Sequence, residues 1–208
     1  AFWSSKNMTF HDCTIQAPKE FRRNEHVTVE RTAFTDAAET FWECRKVTLR
    51  EVSAAGDYFA MNSENLDIRD FQLTGNYCFD GARNVTVDHA RLISKDAFWN
   101  CENVTVRNSF ISGEYLAWNT KNITFENCTI ESLQGLCYID GLTMRDCRLI
   151  NTTRSFEYCS DIDADVTTRI DSVVNPISGV IRAAAFGDVL QNDPAIDTTK
   201  IQLISTDL

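Results

Sequence analysis

The sequence predicts an all-β protein, a single-stranded right-handed parallel β-helix (β-solenoid) in which each coil of the chain stacks on the preceding one. Two observations lead to this prediction. A short segment recurs every nineteen residues, and apolar and polar side chains alternate within it. A unit of this length is too short for a helix with strands and turns, because a helix alone uses about ten residues. The handedness is expected by analogy with other parallel crossovers.

The repeat is clearest in three copies of an Asn-apolar-Thr-apolar segment, which begin at Asn84, Asn103 and Asn122. We call the first residue of each copy the anchor and number the other positions of a coil from it. The anchors are Asn7, His26, Lys46, Asn65, Asn84, Asn103, Asn122, Gly141 and Asp161. Positions +1 and +3 are apolar in every copy, which is typical of a strand with one buried face. These anchors predict about eight to nine coils.

A second apolar column lies at position −5, where it follows a residue of complementary size. Examples are Phe59-Ala60, Ala97-Phe98 and Leu116-Ala117. A packed interior of constant cross-section requires a small residue beside a large one. Because both residues cannot point inward from a straight strand, we expect the chain to bend there.

The two ends of the chain depart from the repeat. We expect residues 1–165 to form the coils and residues 166–208 to form an irregular C-terminal cap of the same domain, since the open end of a solenoid has to be covered. The first coil begins in the middle of a unit. We therefore expect an N-terminal truncation, or an open end that a partner or a second copy of the chain covers.

Four segments of the sequence, GDYFAMNS (56–63), SKDAFWNC (94–101), SGEYLAWN (112–119) and IDSV (170–173), resemble a bacterial family of right-handed parallel β-helix proteins. That family is described only as a domain of unknown function, and some members carry a hydrogenase-like label. The resemblance extends over essentially the whole chain and implies the fold without any catalytic residue. Ala60 and Ala117 stand where glycine is expected. The hydrogenase label is not supported, because a nickel or iron–sulfur site needs clustered cysteines.

Aromatic and acidic side chains recur at three positions of the coil and predict one continuous surface, which we call the aromatic stripe. Position −8 holds Asp57, Asn76, Lys95 and Glu114, position −7 holds Tyr58, Tyr77, Asp96 and Tyr115, and position −4 holds Trp42, Met61, Asp80, Trp99 and Trp118. Coils lie about 4.8 Å apart, so these residues form ladders. Aromatic rings and carboxylates together suit a glycan or a similar polymer. The six rings are our predicted ligand-binding residues, and the same surface could instead hold a protein, including a second copy.

The alternative function is that of a polysaccharide hydrolase or lyase. Asp57, Asp80, Asp96 and Glu114 are the candidate carboxylates for glycoside hydrolysis, and Lys95 is the candidate base for β-elimination, with carboxylates holding Ca²⁺. We favour a binding or scaffold protein, because coil lengths vary by one residue and leave no long loop with which to build a deep site.

The recurring anchor asparagines are expected to be structural. Asparagine tolerates left-handed backbone geometry, and stacked amides can hydrogen-bond from coil to coil. Four of the Asn-x-Ser/Thr sequons are therefore explained as an anchor followed by its strand threonine.

Composition excludes several other functions. A net charge of −10 argues against nucleic-acid binding, and the chain has no apolar run of the roughly 20 residues that a membrane span needs. Among eight cysteines there is no Cys-x-x-Cys, and His11, His26 and His89 lie far apart in sequence, so we predict no metal and no cofactor. Cys128 and Cys147 lie on neighbouring coils, close enough for a disulfide. We expect the thiols to be reduced and the protein to be cytoplasmic.

Overall fold

The computed structural model describes residues 2–206, which form β-strands and one short 3-10 helix (Thr198–Lys200). The strands are β1 (Lys6–His11), β2 (Thr14–Gln16), β3 (Glu25–Asp36), β4 (Arg45–Ala55), β5 (Glu64–Thr74), β6 (Arg83–Ile93), β7 (Glu102–Arg107), β8 (Phe110–Glu114), β9 (Lys121–Glu126), β10 (Thr129–Leu133), β11 (Asp140–Thr153), β12 (Ser160–Val166), β13 (Ile170–Val174), β14 (Gly179–Ala183), β15 (Phe186–Leu190) and β16 (Ile201–Ser205). Fourteen of them belong to one sheet, and β13 pairs with β15 in a second.

The sheet is a parallel ladder that climbs one coil at a time, which confirms the predicted β-solenoid. Its main path runs β1-β3-β4-β5-β6-β7-β9-β11-β12-β14-β16. The pairing follows the repeat: Val85 pairs with Val104, and Val104 pairs with Ile123. Equivalent positions of the sequence repeat therefore stack directly on one another.

The number of coils is about eleven, slightly more than predicted. The sequence repeat fades after Asp161, but the ladder continues, because Ile162 pairs with Gly179 and Gly179 pairs with Ile201. These steps span 17 and 22 residues, so a search at a fixed spacing of nineteen misses them. Much of the segment predicted as an irregular cap thus continues the stacking. Ala1, at the start of the predicted coils, and residues 207–208, at the end of the predicted cap, lie outside the described part.

The core is a column of stacked apolar side chains that follows the solenoid axis. Phe79 and Phe98, both at position −5, are fully buried with their ring centroids 5.1 Å apart. The residues that precede them, Cys78 and Ala97, are buried as well. This confirms the predicted bend at which consecutive residues both point inward.

The bends are made by residues with left-handed backbone geometry. The coil of Asn122 has five of them, with φ between 50° and 59°, at Tyr115, Ala117, Asn119, Asn122 and Asn127. Their positions, −7, −5, −3, 0 and +5, recur from coil to coil. A residue with a Cβ is destabilised by roughly 1–2 kcal/mol in this geometry, which explains why glycine is expected in place of Ala60 and Ala117.

The anchor asparagines form the predicted ladder. Nδ2 of Asn84 donates to Oδ1 of Asn65, Asn103 donates to Asn84, and Asn122 donates to Asn103, at 3.2, 3.2 and 2.8 Å. Each side-chain amide thus hydrogen-bonds to an asparagine on the adjacent coil, and the backbone of each of these asparagines is left-handed.

All eight cysteines are free thiols, and seven of them are buried. Burial raises the pKa of Cys78 to about 12. Cys128 and Cys147 are not bonded to each other; their Sγ atoms donate to the carbonyls of Val106 and Phe125. Within residues 2–206 no helix is long and apolar enough to cross a membrane.

Candidate functional site

The aromatic stripe lies on the turns that join the end of one long strand region to the start of the next. Positions −6 and −5 point into the core here, whereas the predicted rings at −7 and −4 remain at the surface. In the coil of Asn122, Leu116 and Ala117 are buried, Tyr115 is exposed and Trp118 is half-buried. The left-handed residues at −7, −5 and −3 change the side-chain direction within a few residues, so the interior and the stripe are built from the same turn.

Most of the predicted rings are brought together in an unbroken series of contacts. Tyr58 stacks on Tyr77 with ring centroids 5.0 Å apart and planes 7° from parallel. Tyr77 meets Trp99 edge to face at 5.9 Å, and Trp99 lies 5.9 Å from Trp118. Tyr115 also contacts Trp118 edge to face, at 6.0 Å.

Two further tyrosines, which the sequence did not indicate, extend this series. Trp118 lies 4.9 Å from Tyr138, and Tyr138 lies 5.2 Å from Tyr158. Both are at position −3 instead of −4 or −7, so they fall outside the columns that define the predicted surface. The sequence feature that indicates them is the spacing of 20 residues from Trp118 to Tyr138 and from Tyr138 to Tyr158.

Trp42, the remaining predicted ring, belongs to the N-terminal part of the stripe. The guanidinium of Arg22 lies 4.9 Å from the centroid of Trp42 and 5.6 Å from that of Trp3. All three residues occupy position −4 of successive coils. An arginine therefore lies between two tryptophans in the same column.

Asp96 interrupts the tyrosine column, and Trp99 closes the resulting gap. The indole of Trp99 contacts the ring of Tyr77 on the preceding coil, and its Nε1 donates to the carbonyl of Tyr115 on the following coil at 2.6 Å. The indole therefore spans the coil that contains Asp96. The exposed fraction of Asp96 is 7%. Burial raises the pKa of Asp96 despite the hydrogen bond from Tyr77, and the charges of Glu114 and Asp80 raise it further.

The other predicted catalytic residues are engaged in local contacts. Asp57 Oδ1 accepts a hydrogen bond from the backbone N–H of Asn76 at 2.7 Å, and Asp80 Oδ1 accepts one from Asn100 Nδ2 at 3.0 Å. Lys95 Nζ lies 3.3 Å from a carboxylate oxygen of Glu114. These contacts hold one coil to the next, and Asp96, the least exposed of these carboxyls, is hydrogen-bonded to Tyr77. The arrangement suits binding better than acid–base catalysis.

The stripe carries a large share of the exposed apolar surface. Eight large apolar side chains are exposed in residues 2–206, and five of these lie along the stripe: Trp3, Tyr58, Tyr115, Leu133 and Tyr138. Exposed apolar side chains that are contiguous, unlike scattered ones, mark interaction surfaces.

Comparisons with known proteins bear on the family and the fold. A family model described as "Protein of unknown function (DUF3737)" matches residues 1–204, nearly the whole chain. The search of curated proteins gave no match. The solved structures that match include two of trypsin-treated variants of QnrB1, a plasmid-mediated fluoroquinolone resistance protein. They share 10% and 12% identity, cover 77% and 72% of this chain and 91% of the QnrB1 chains, and have TM-scores of 0.27 and 0.26.

Proposed function

The chain belongs to the DUF3737 family of proteins of unknown function, and we propose that it is a non-catalytic binding protein whose aromatic stripe contacts a partner protein. The observation that carries the proposal is the continuous series of contacting, partly exposed rings from Tyr58 to Tyr158. Aromatic side chains contribute a large apolar area at a low entropic cost, which is why they are enriched at protein interfaces.

The orientation of the rings favours a protein over a sugar as the ligand. Tyr58 and Tyr77 are nearly parallel and stack along the solenoid axis, and Tyr138 and Tyr158 do so with planes 25° apart. Their faces are therefore used by neighbouring rings, and the hydroxyls of Tyr77 and Tyr158 are engaged by Asp96 and Asp193. A sugar ring stacks on an open aromatic face, whereas protein side chains also pack against ring edges.

The charges beside the rings indicate the kind of protein surface that fits. Asp57, Asp80 and Glu114 flank the stripe beside Lys95, which pairs with Glu114, and Arg22 lies at its N-terminal end. A second copy of this acidic chain would bring like charges together, which disfavours self-association through the stripe. A partner segment with arginines between apolar residues is complementary.

The N-terminal part of the stripe already contains an example of this recognition. Arg22 lies within 4.9 Å and 5.6 Å of the centroids of Trp42 and Trp3. Cation–π contacts of this kind contribute about 0.5–1 kcal/mol at exposed sites. In later coils neighbouring rings contact one another, so an arginine from a partner would approach the rings from the solvent-exposed side of the stripe.

Selection from a random peptide library on the immobilised chain tests this proposal. We expect the enriched peptides to combine arginine with apolar residues, and a double variant Tyr115→Ser/Tyr138→Ser to bind them at least about tenfold more weakly. The matched control is Ile204→Ser, which changes an exposed apolar residue elsewhere. Peptides that bind the double variant as tightly as the unchanged chain would overturn the proposal, as would a selection that enriches nothing.

The second candidate function is glycan binding along the same stripe. It is favoured by tyrosine hydroxyls and carboxylates that recur at the coil spacing of about 4.8 Å, near the length of a sugar unit. Binding of oligosaccharides that is lost in Tyr115→Ser/Tyr138→Ser, with no enriched peptide, would favour it. An enzyme acting on a polysaccharide through Asp57, Asp80, Asp96, Glu114 or Lys95 would in addition release cleaved products, which chromatography of the oligosaccharides after incubation with the chain would detect.

A further inference from the structure

A different face of the solenoid carries a long concave groove. Its volume is about 970 Å³, and the residues at positions +5 and +7 of successive coils line it. Glu51, Asp70 and His89 form one rim. A smaller concavity of about 410 Å³ adjoins it, and the two share Ala33, Ser53, Gln72 and Arg91. We call these four residues the groove floor.

The groove follows from the left-handed residue at position +5. Glu51, Asp70 and His89 have φ of 51°, 54° and 52° in the middle of long strands. The strand bends there, the next residue turns into the core, as Val52 and Phe71 do, and the side chains on both sides of the bend point outward. Because the side chains of Ala33 and Ser53 are small, the space between the residues at position +5 and the groove floor stays open.

The charged groups of the groove differ between its ends and its middle. At one end Arg31 makes two hydrogen bonds to Asp12, at 2.7 and 3.0 Å. At the other end the guanidinium of Arg91 lies 4.9 Å from the centroid of Phe110. These contacts hold the two arginines in place. Between them lie carboxylate, amide and hydroxyl groups that can exchange hydrogen bonds with a ligand.

We propose that this groove binds a linear, uncharged oligosaccharide along the solenoid axis, with about one sugar unit per coil. Coils repeat at about 4.8 Å, which is close to the length of one sugar unit, whereas an extended peptide repeats at about 3.3 Å and would fall out of step. Glu51 and Asp70 accept hydrogen bonds only, Gln72 and Ser53 both donate and accept, and Arg91 donates. This mixture matches sugar hydroxyls, and the carboxylates disfavour acidic polymers.

The groove shares no residue with the aromatic stripe, so this proposal is independent of the partner protein proposed above. It involves no bond cleavage. A ligand of this type has to contact several coils at once, because each coil offers only one or two polar side chains. The affinity should therefore increase with the length of the oligosaccharide.

Calorimetric titration of the full chain with di-, tetra- and hexasaccharides of glucose, xylose and N-acetylglucosamine tests the proposal. We expect at least one series to bind, with an affinity that rises at least about tenfold from disaccharide to hexasaccharide. A galacturonic acid hexasaccharide should bind more weakly, because its carboxylates would face Glu51 and Asp70.

Three variants localise the binding. Ser53→Tyr fills the groove floor and should weaken hexasaccharide binding at least about tenfold. Thr48→Tyr, an equal change on another face, should leave it unchanged, as should Tyr115→Ser/Tyr138→Ser. The proposal fails if none of the hexasaccharides binds, if affinity does not depend on length, or if Ser53→Tyr binds like the unchanged chain while retaining its circular dichroism spectrum.

Discussion

The coils up to Asp161 and the coils after it stack in the same parallel ladder but turn their corners differently. Each regular coil has a positive φ at up to six positions, whereas between 162 and 206 only Asn175 and Gly179 have one in the range that favours glycine. The regular coils keep steps of 19 or 20 residues, and the last two steps are 17 and 22 residues. Parallel stacking therefore does not require a constant coil length.

The side-chain ladder, in contrast, depends on a constant coil length. Asn65 to Asn122 stack because every corner recurs at the same place, and each amide bonds to the next. Ion pairs connect coils in both regions, and in the last coils they converge on one carboxylate. Arg182 Nη1 lies 3.0 Å from Asp163, and Arg145 contacts the same carboxylate. The last coils keep the amide pair of Asn175 and Asn192, and the long side chains of Arg145 and Arg182 make further contacts between coils.

The largest expected effect that distinguishes the two regions is at Asn103, in the middle of the amide ladder. Asn103→Ala removes two side-chain hydrogen bonds and places alanine at φ 57°, so we expect a loss of about 2 kcal/mol in the free energy of unfolding. Asn103→Gly removes the same hydrogen bonds but adopts this geometry freely, and should lose only about 1 kcal/mol. Urea unfolding followed by circular dichroism measures both.

The control for this comparison is Asn192→Ala in the last coils. Asn192 is exposed, has no left-handed backbone, and accepts one side-chain hydrogen bond from Asn175. Loss of this hydrogen bond should lower the free energy of unfolding by less than about 1 kcal/mol. If Asn103→Ala costs no more than Asn192→Ala, then the ladder does not stabilise the regular coils.

The second prediction concerns pH, which should affect the two regions in opposite directions. Hydrogen bonds from Arg145 and Arg182 lower the pKa of Asp163 below its ordinary value of 3.8. The stabilisation by Asp163 is therefore present above pH 3.8 and is lost as the pH falls through the lowered pKa. Burial raises the pKa of Asp96, so the stabilisation linked to its protonated form is complete below pH 3.8 and is lost as the pH rises through the raised pKa.

Urea titrations of Asp163→Asn and Asp96→Asn between pH 7 and pH 3 separate these effects. The deficit of Asp163→Asn relative to the unchanged chain should shrink as the pH falls below 3.8. The stability of Asp96→Asn relative to the unchanged chain should be higher at pH 7 than at pH 4. If both differences change in the same direction on acidification, one of the two environments has been assigned incorrectly.

The sequence predicts the regular region well and the last coils poorly, for a physical reason. A strand with one buried face leaves a pattern in every copy, and Asn84, Asn103 and Asn122 show it directly. The pairing of Ile162 with Gly179, and of Gly179 with Ile201, leaves no fixed spacing to find. Backbone hydrogen bonds make that pairing, and they do not depend on side-chain identity.

The sequence predicts the aromatic stripe in large part and the groove not at all. The six rings of the stripe follow from their columns, but Tyr138 and Tyr158 were missed because a shift of one residue moves them to another position. The groove was missed altogether. Its residues share the outward-facing positions of the repeat, and nothing in the sequence distinguishes a concave bend at Glu51 or Asp70 from a convex one.

The smallest expected effect tests the left-handed inner corner itself. Ala117 and Ala97 are both fully buried alanines of the regular coils, but Ala117 has φ 59° and Ala97 has no positive φ. Changing either to glycine removes a buried methyl group, worth about 0.8 kcal/mol, and adds about 0.5–1 kcal/mol of chain entropy to the unfolded state. At Ala117 glycine also relieves roughly 1 kcal/mol of backbone strain. We therefore expect Ala97→Gly to cost about 1.5 kcal/mol and Ala117→Gly about 0.5 kcal/mol in urea unfolding. Equal costs would mean that the inner corner is not strained, and the glycine expected in place of Ala117 would then need another cause.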